Sequence, residues 1–316
     1  MTIAGSKILL TGFNGRLAGS LSEALTSAGE LWGASLRITP QERSFWEGRG
    51  MKLWEGDLGL DDYRGLPSDF DYVIHTAADV YTQDFALGMR SNAEAPGLLM
   101  QHVRGAKAFL HVSTCGVYHP HADPWHLFTE TDPIGGSPFM GHYTGTKTAG
   151  EGTVRTLARL LNMPTIICRL NMQYGTYADG GLPVKHLKAI IEGQPIVLPQ
   201  KVPFIKAPIH EDDLIRFVEP SLMAAKVPAE TINWCGDEAF DWREGIEYLA
   251  ELVGETAHIV LDDSLSRVPV AGDATHRKTI TGPCQVSWKE GLRRIVEFWE
   301  PRLRNGGNAF EGRDAA

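Results

Sequence analysis

The sequence predicts an α/β fold, a doubly wound parallel sheet with a smaller, mostly C-terminal lobe. Three observations predict it. Short apolar runs that read as strands alternate with helical spacings from Lys7 to Arg169, which implies parallel strands joined by right-handed crossovers. The strand runs are continuously apolar, as in a sheet covered by helices on both faces. A glycine-rich turn joins the first strand to the first helix.

Residues 7–11 (KILLT) form the first strand, stopped by Gly12. Leu17, Leu21, Ala24, Leu25 and Ala28 recur at helical spacing, giving a helix over 17–28 that closes on Gly29. Strands follow at 31–37, 72–76 and 108–113, with a helix over 92–104 between the last two. A helix over 142–161 and a strand over 165–169 continue the alternation. After about Gly175 the pattern loosens. Pro183, Pro195, Pro199, Pro203 and Pro208 mark loop and short-helix material of the kind that forms a lid. Helices resume over 211–225, 242–253 and 288–304. The expected organisation is a first domain over 1–175, a lobe over 176–304 with segments returning to that domain, and a disordered polar tail over 305–316.

Bulk properties narrow the function. With 43% hydrophobic and 22% charged residues the chain has the balance of a soluble globular protein. A net charge of -9 argues against nucleic acid or an anionic membrane as partner, because both need a basic face. A small molecule is the partner expected. The four cysteines, Cys115, Cys168, Cys235 and Cys284, lie far apart, so no zinc set or disulfide framework is expected and a reducing cytoplasm is the default. The apolar run at the N-terminus ends in Thr-Gly, which reads as a strand and not as a signal peptide. No apolar stretch approaches the roughly 20 residues of a membrane helix. His119, His121 and His126 cluster without carboxylates at ligand spacing, so no metal site is expected.

The turn TGFNGRLAG, residues 11–19, opens a helix directly after a strand. A pyrophosphate needs that arrangement: backbone with no intervening side chain, at a positively polarised helix N-terminus. Gly12, Asn14, Gly15, Arg16 and Leu17 are the candidate dinucleotide-binding residues, and the sheet is then of the Rossmann type. A free ribose 2′-hydroxyl calls for a carboxylate at the end of the second strand, whereas a 2′-phosphate calls for a cation. The sequence there, Ala34-Ser35-Leu36-Arg37, carries no acid and one arginine, which favours NADP over NAD; the alternative is that Arg37 is a solvated strand end. Asp57, followed by Leu58, sits where a loop carboxylate could reach an adenine amine, or where it would cap a helix.

Tyr143 and Lys147 fall four residues apart and share one helix face. A tyrosine is a poor base at neutral pH. A neighbouring ammonium and a cationic nicotinamide ring would stabilise its phenolate. The same lysine can hold the nicotinamide ribose. Thr114, at the end of a strand, could hydrogen-bond the substrate oxygen whose proton Tyr143 moves. Cys115 beside it has no identifiable base partner and reads as a small packing residue. Asp212 and Asp213 suit the first turn of a helix.

These segments together resemble the extended short-chain dehydrogenase/reductase family, the NAD(P)-dependent epimerases and dehydratases with their ketoreductase relatives. The resemblance runs from about Lys7 to Gly236. It includes TGFNGRLA, GDL at 56–58, VIHTAA at 73–78, SNAEAPG at 91–97, STCGVY at 113–118, TETDP at 129–133, YTGTK at 143–147, CRLNMQYG at 168–175 and IHEDDL at 209–214. It implies that Thr114, Tyr143 and Lys147 are the catalytic trio, that His75 and Ala77 lie along the cofactor, and that Asn92 supports the site. It also implies a substrate lobe after Gly175 and a homodimer through a four-helix bundle that includes the Tyr143 helix.

Departures narrow the reaction. The family's dehydratases carry Asp-Glu after the catalytic Thr, where this chain has Cys115 and Gly116, so dehydration is not expected. The Asn of the R-x-x-N-x-Y-G motif is displaced to Asn171, leaving Met172 in its place, and Lys206 replaces the arginine that precedes I-H-x-x-D. These changes count against a UDP- or GDP-sugar and make Cys115, Asn171, Met172 and Lys206, with Thr114, candidate substrate contacts. The expected activity is reversible hydride transfer at a secondary alcohol or ketone of a sugar-like compound, with an epimerase as the alternative and a cofactor-sensing protein without turnover as a minor one.

Overall fold

A computed structural model describes residues 3–135, 141–263 and 269–306. Its centre is a seven-stranded sheet: β1 (Ser6–Thr11), β2 (Gly29–Ser35), β3 (Lys52–Glu55), β4 (Tyr72–His75), β5 (Ala108–Thr114), β6 (Thr165–Leu170) and β7 (Glu230–Trp234). The order is β7-β6-β5-β4-β1-β2-β3, and every neighbouring pair is parallel. The reversal of order beside β1 opens a crevice at the carboxyl ends of β1 and β4, where ligands bind in such sheets.

Both faces are covered. Ile8, Leu10, Leu21, Leu110, Ile166, Phe217 and Trp234 belong to one apolar core, which takes in α1 (Arg16–Leu25) and α7 (Glu211–Met223). Leu9, Val73, Leu99, Phe109, Val154 and Ile167 form the other, under α4 (Ala95–His102) and α5 (Tyr143–Leu161). Alternate residues of one strand thus enter opposite cores, which is why the strands read as continuously apolar.

Two elements of the first half differ from the sequence reading. Residues 40–55 hold α2 (Pro40–Glu47) and β3, both unpredicted; α2 starts on a capping box in which Thr39 and Glu42 satisfy each other's backbone N–H. The helix expected over 92–104 begins earlier and is broken, as α3 (Phe85–Met89), a π turn (Arg90–Glu94) and α4, with Pro96 just inside α4. β2 stops at Ser35, two residues before Arg37.

The C-terminal lobe packs α6 (Leu182–Ile191), α8 (Trp242–Val253) and α10 (Trp288–Arg304) around Val184, Leu187, Trp242, Ile246, Ile295 and Trp299. α7 and β7 leave this lobe and return to the sheet, and α9 (Thr275–Thr281) packs on α7. Helix α6 lies inside the proline-rich stretch. Of the tail, Asn305 and Gly306 close α10 and the rest lies outside the described residues. No helix among the described residues is long and apolar enough to cross a membrane.

Candidate active site

The turn after β1 is shaped by two close approaches. Gly12 has φ +67, and a Cβ there would lie 2.9 Å from the Ala77 Cα; only glycine fits without strain. Gly15 N–H donates to the Gly12 carbonyl at 2.8 Å and stands at the N-cap of α1, where no side chain caps the helix. The helix therefore presents unsatisfied N–H groups beside a backbone that nothing covers, as an anion site requires.

From this turn a cavity of about 1190 Å³ runs to the ends of β4, β5 and β6. Gly12, Asn14, Gly15, Arg16 and Leu17 line one end, Asp57, Leu58, His75 and Ala77 its flank, and Thr114, Tyr143 and Asn171 the other end. Asn14 accepts from the Ser35 hydroxyl at 2.9 Å and donates to the Arg37 carbonyl and to Glu42, which fixes the end of β2. Arg16 pairs with Asp179, and Lys185 reaches the same carboxylate at 3.8 Å. Asp57 does cap a helix: its carboxylate accepts from Gly59 N–H at 2.8 Å, as N-cap of a short 3₁₀ turn, and from Arg90 at 3.0 Å.

Thr11, His75 and His111 are direct cross-strand partners on β1, β4 and β5. The His75 Nδ1 lies 2.9 Å from the Thr11 hydroxyl, and its ring stacks on His111 at 5.4 Å and 15°. Both imidazoles are buried, and burial, with the Lys147 charge second, pushes His75 down to about 3 and His111 well below its ordinary value. Both rings are therefore neutral. His75 is among the residues lining the cavity, and its Nε2 is buried without a hydrogen-bond partner among the described residues.

Helix α5 brings the tyrosine and lysine to this rung. Tyr143 is half-buried on the cavity wall. Burial pushes its phenol up to about 12, Tyr81 adds to the rise, and a hydrogen bond with Thr114 works against it. Lys147 is buried, its ammonium donating to the Val112 carbonyl at 2.7 Å and lying 3.4 Å from His111 Nε2. Burial depresses it to about 8, with the Glu151 carboxylate pulling upwards. Glu151, one turn further on, accepts from Ser113 at 2.6 Å and from Arg169 through two bonds of 2.8 and 3.0 Å, which clamps α5 to β5 and β6. Asn92 donates to Thr146 at 3.0 Å and exchanges hydrogen bonds with the Asp79 backbone, tying the loop after β4 to the same helix.

Residues 8–232 match the model of the NAD dependent epimerase/dehydratase family. The chain belongs to that family. No match was found among curated proteins. The chain is similar to the UDP-glucuronic acid 4-epimerase of Bacillus cereus in complex with UDP-glucuronic acid and NAD, at 23% identity, with 93% of this chain and 99% of that one covered and a TM-score of 0.78. It is similar also to a dTDP-glucose 4,6-dehydratase of Streptomyces venezuelae with NAD and TYD bound (19%, 96% and 99%, TM-score 0.82) and to a UDP-glucose 4-epimerase of Thermotoga maritima with UDP-glucose (18%, 94% and 99%, TM-score 0.78). At these identities the likeness is one of fold.

Within this family frame, five candidate residues stand away from the cavity lining: Lys147, buried behind it, and four others. Arg37 is exposed, while Ser35 and Leu36 line the cavity at the end of β2. Cys115 is buried, its thiol on the Arg169 carbonyl at 3.2 Å, and burial pushes it up to about 12, so it is a packing residue and no nucleophile. Met172 packs into the lobe core. Lys206 is buried with its ammonium 4.3 Å from the Phe204 ring centroid. Asn171 does line the cavity, but its amide accepts from Ala207 N–H and donates to the Val270 carbonyl, both at 3.1 Å.

The cavity wall also holds residues that the sequence reading did not single out: Tyr81, Arg90, Gln173, Lys185 and Phe204. Gln173 is buried and its Nε2 has no partner among the described residues. It lies inside the CRLNMQYG motif, so position alone could have flagged it. Nothing local in the sequence marks the others. His121 and His126 stack at 4.0 Å and His126 meets Asp132 at 3.2 Å, yet no group of three or more ligand-type residues among those described could hold a metal.

Proposed function

We propose that the protein catalyses reversible hydride transfer between NAD and a secondary alcohol carbon of a sugar-like or other polyoxygenated small molecule. The observation that carries this reading is one cavity with the bare Gly12–Gly15 turn at one end and the hydrogen-bonded Thr114–Tyr143 pair at the other. The residues fit the dinucleotide: Gly12 and Gly15 leave room for a pyrophosphate, the uncapped α1 N-terminus suits its charge, and the buried His75 Nε2 has no partner among the described residues. Asn14, Arg16 and Leu17 would complete the cradle, with Asp57, Leu58 and Ala77 along it and Tyr143 and Lys147 at the nicotinamide end. Bound NAD supplies the hydride acceptor.

Tyr143, a neutral phenol at rest, donates its proton to a carbonyl oxygen in the reducing direction and takes it back in the other. Thr114 holds that oxygen. Lys147 keeps a positive charge near the phenol, which favours the phenolate form when it is needed. Cys115 and Gly116 offer no acid to eliminate water, so dehydration is not part of the proposal. A reading with NADP would rest on Arg37 alone, the exposed cation two residues beyond the end of β2. The lobe after about residue 175 is taken to hold the substrate, and a homodimer through the α5 face completes the reading; a monomeric mass in sedimentation would remove that last part.

Epimerisation is the second reading, favoured by the family and by similar proteins described as UDP-sugar 4-epimerases. A panel of sugars, sugar acids and nucleotide sugars assayed with NAD and NADP tests both. Net NADH formation supports the dehydrogenase. A new epimer with no net cofactor change supports the epimerase. No product with any polyol would sink both.

A further inference from the structure

We infer that His111 is a positioning residue for Lys147, its Nε2 accepting a hydrogen bond from the ammonium and, together with the Val112 carbonyl, setting the direction of the remaining N–H. The inference rests on the proposed role of Lys147 in holding the cofactor, and it adds a residue that the Thr–Tyr–Lys pattern does not contain.

Four observations support it. β5 reads AFLHVST, and His111 is the one titratable side chain in it, fully buried where an apolar residue would pack without cost. A buried imidazole is costly unless it is hydrogen-bonded; the His111 Nε2 meets Lys147, while its buried Nδ1 has no partner among the described residues. Lysine carries three donors and no acceptor. The Nε2 facing it must therefore be the acceptor, which places the ring proton on Nδ1. Two of the three ammonium donors are then used on β5, by Val112 at 2.7 Å and His111 at 3.4 Å, and the proposed cofactor contact would take the third.

The ring itself is held in place. His75 stacks on it, and the Thr11 hydroxyl holds His75. That hydroxyl also accepts from Ala77 N–H at 3.2 Å, which ties it to the loop after β4. Thr11 immediately precedes Gly12. A chain of contacts along one rung of the sheet thus joins the dinucleotide turn to the lysine. The other titratable groups that feel the ammonium are His75 on β4 and Glu151 on its own helix, and Glu151 is bound by Arg169 from β6. The longer 3.4 Å contact assigns His111 direction, while Val112 fixes distance.

The test uses the full chain labelled with [ε-¹³C]lysine, with the Lys147 resonance identified by its loss in Lys147→Met. In His111→Phe the Lys147 amine is expected to titrate about one pH unit lower, and NAD to bind about tenfold more weakly, because a hydrogen bond to a charge is lost. His111→Gln, which keeps an acceptor, is expected to restore most of both. An unchanged titration and NAD affinity in His111→Phe, or equal loss in both variants, would show that the ring only fills space and overturn the inference. Should His111→Phe fail to fold, the imidazole ¹⁵N shifts of the wild-type protein decide: an Nδ1–H tautomer supports the inference and an Nε2–H tautomer refutes it. None of these readouts depends on turnover, so they stand apart from a failure of the proposed reaction.

Discussion

The two ends of the cleft are built on opposite terms. At the cofactor end the protein leaves groups unsatisfied: a glycine at φ +67, a helix without a side-chain cap, a buried His75 Nε2 with no partner among the described residues. At the substrate end most polar groups are spent on the protein itself. Asn171 bonds two backbone segments, and Lys185 reaches the Asp179 carboxylate at 3.8 Å. A group already satisfied by its own fold has little left for a ligand. The cofactor end therefore identifies its ligand by what it lacks, whereas the substrate end, apart from Gln173, does not.

That contrast can be broken by pairing changes at the two ends. The largest expected effect is at Lys147, whose folded pKa of about 8 lies below its ordinary 10.5. The unfolded chain binds more protons between these values, so wild-type stability should rise with pH from about 8 to about 10.5 and be flat below. Relative to Lys147→Met, the gain across that window is expected to be roughly 3 kcal/mol, read by chemical denaturation at each pH. A constant difference between the two proteins would contradict the burial argument.

Gly12→Ala should weaken NAD binding by about 10- to 100-fold, because the strained φ and the clash with Ala77 move the turn. Calorimetric titration checks it, and normal affinity would mean that this turn does not carry the dinucleotide. Asn171→Ala should lower stability by about 1–3 kcal/mol through the unpaired Ala207 and Val270 groups and leave NAD affinity alone. A change in NAD affinity with no loss of stability would reverse the assignment of that residue. Smallest of all, Cys115→Ala should leave turnover within about twofold, as expected for a packing position; abolished turnover would restore it as a reactive thiol.

The sheet and the Thr114, Tyr143 and Lys147 positions were legible because each rests on local chemistry: apolar runs, a glycine turn, a helical i, i+4 spacing. The substrate wall was not. Tyr81, Lys185 and Phe204 come from three separate segments that only the tertiary fold brings to one cavity, and no spacing encodes that. Met172 and Lys206 sit at motif positions and yet turn into the lobe core or under an aromatic ring, which depends on packing partners far along the chain. β3 was missed because this edge strand, KLWE, carries exposed charges at both ends and buries only Trp54, so it shows no continuous apolar run. His111 was visible as a polar residue in an apolar strand, but its partner is 36 residues away.

The central claim, that Tyr143 moves the proton in a site built for NAD, is tested most directly by Tyr143→Phe, assayed for turnover and NAD binding on the same preparation. A loss of turnover of about 10²- to 10⁴-fold with NAD affinity close to wild type is the result predicted. Turnover that survives the substitution would contradict it.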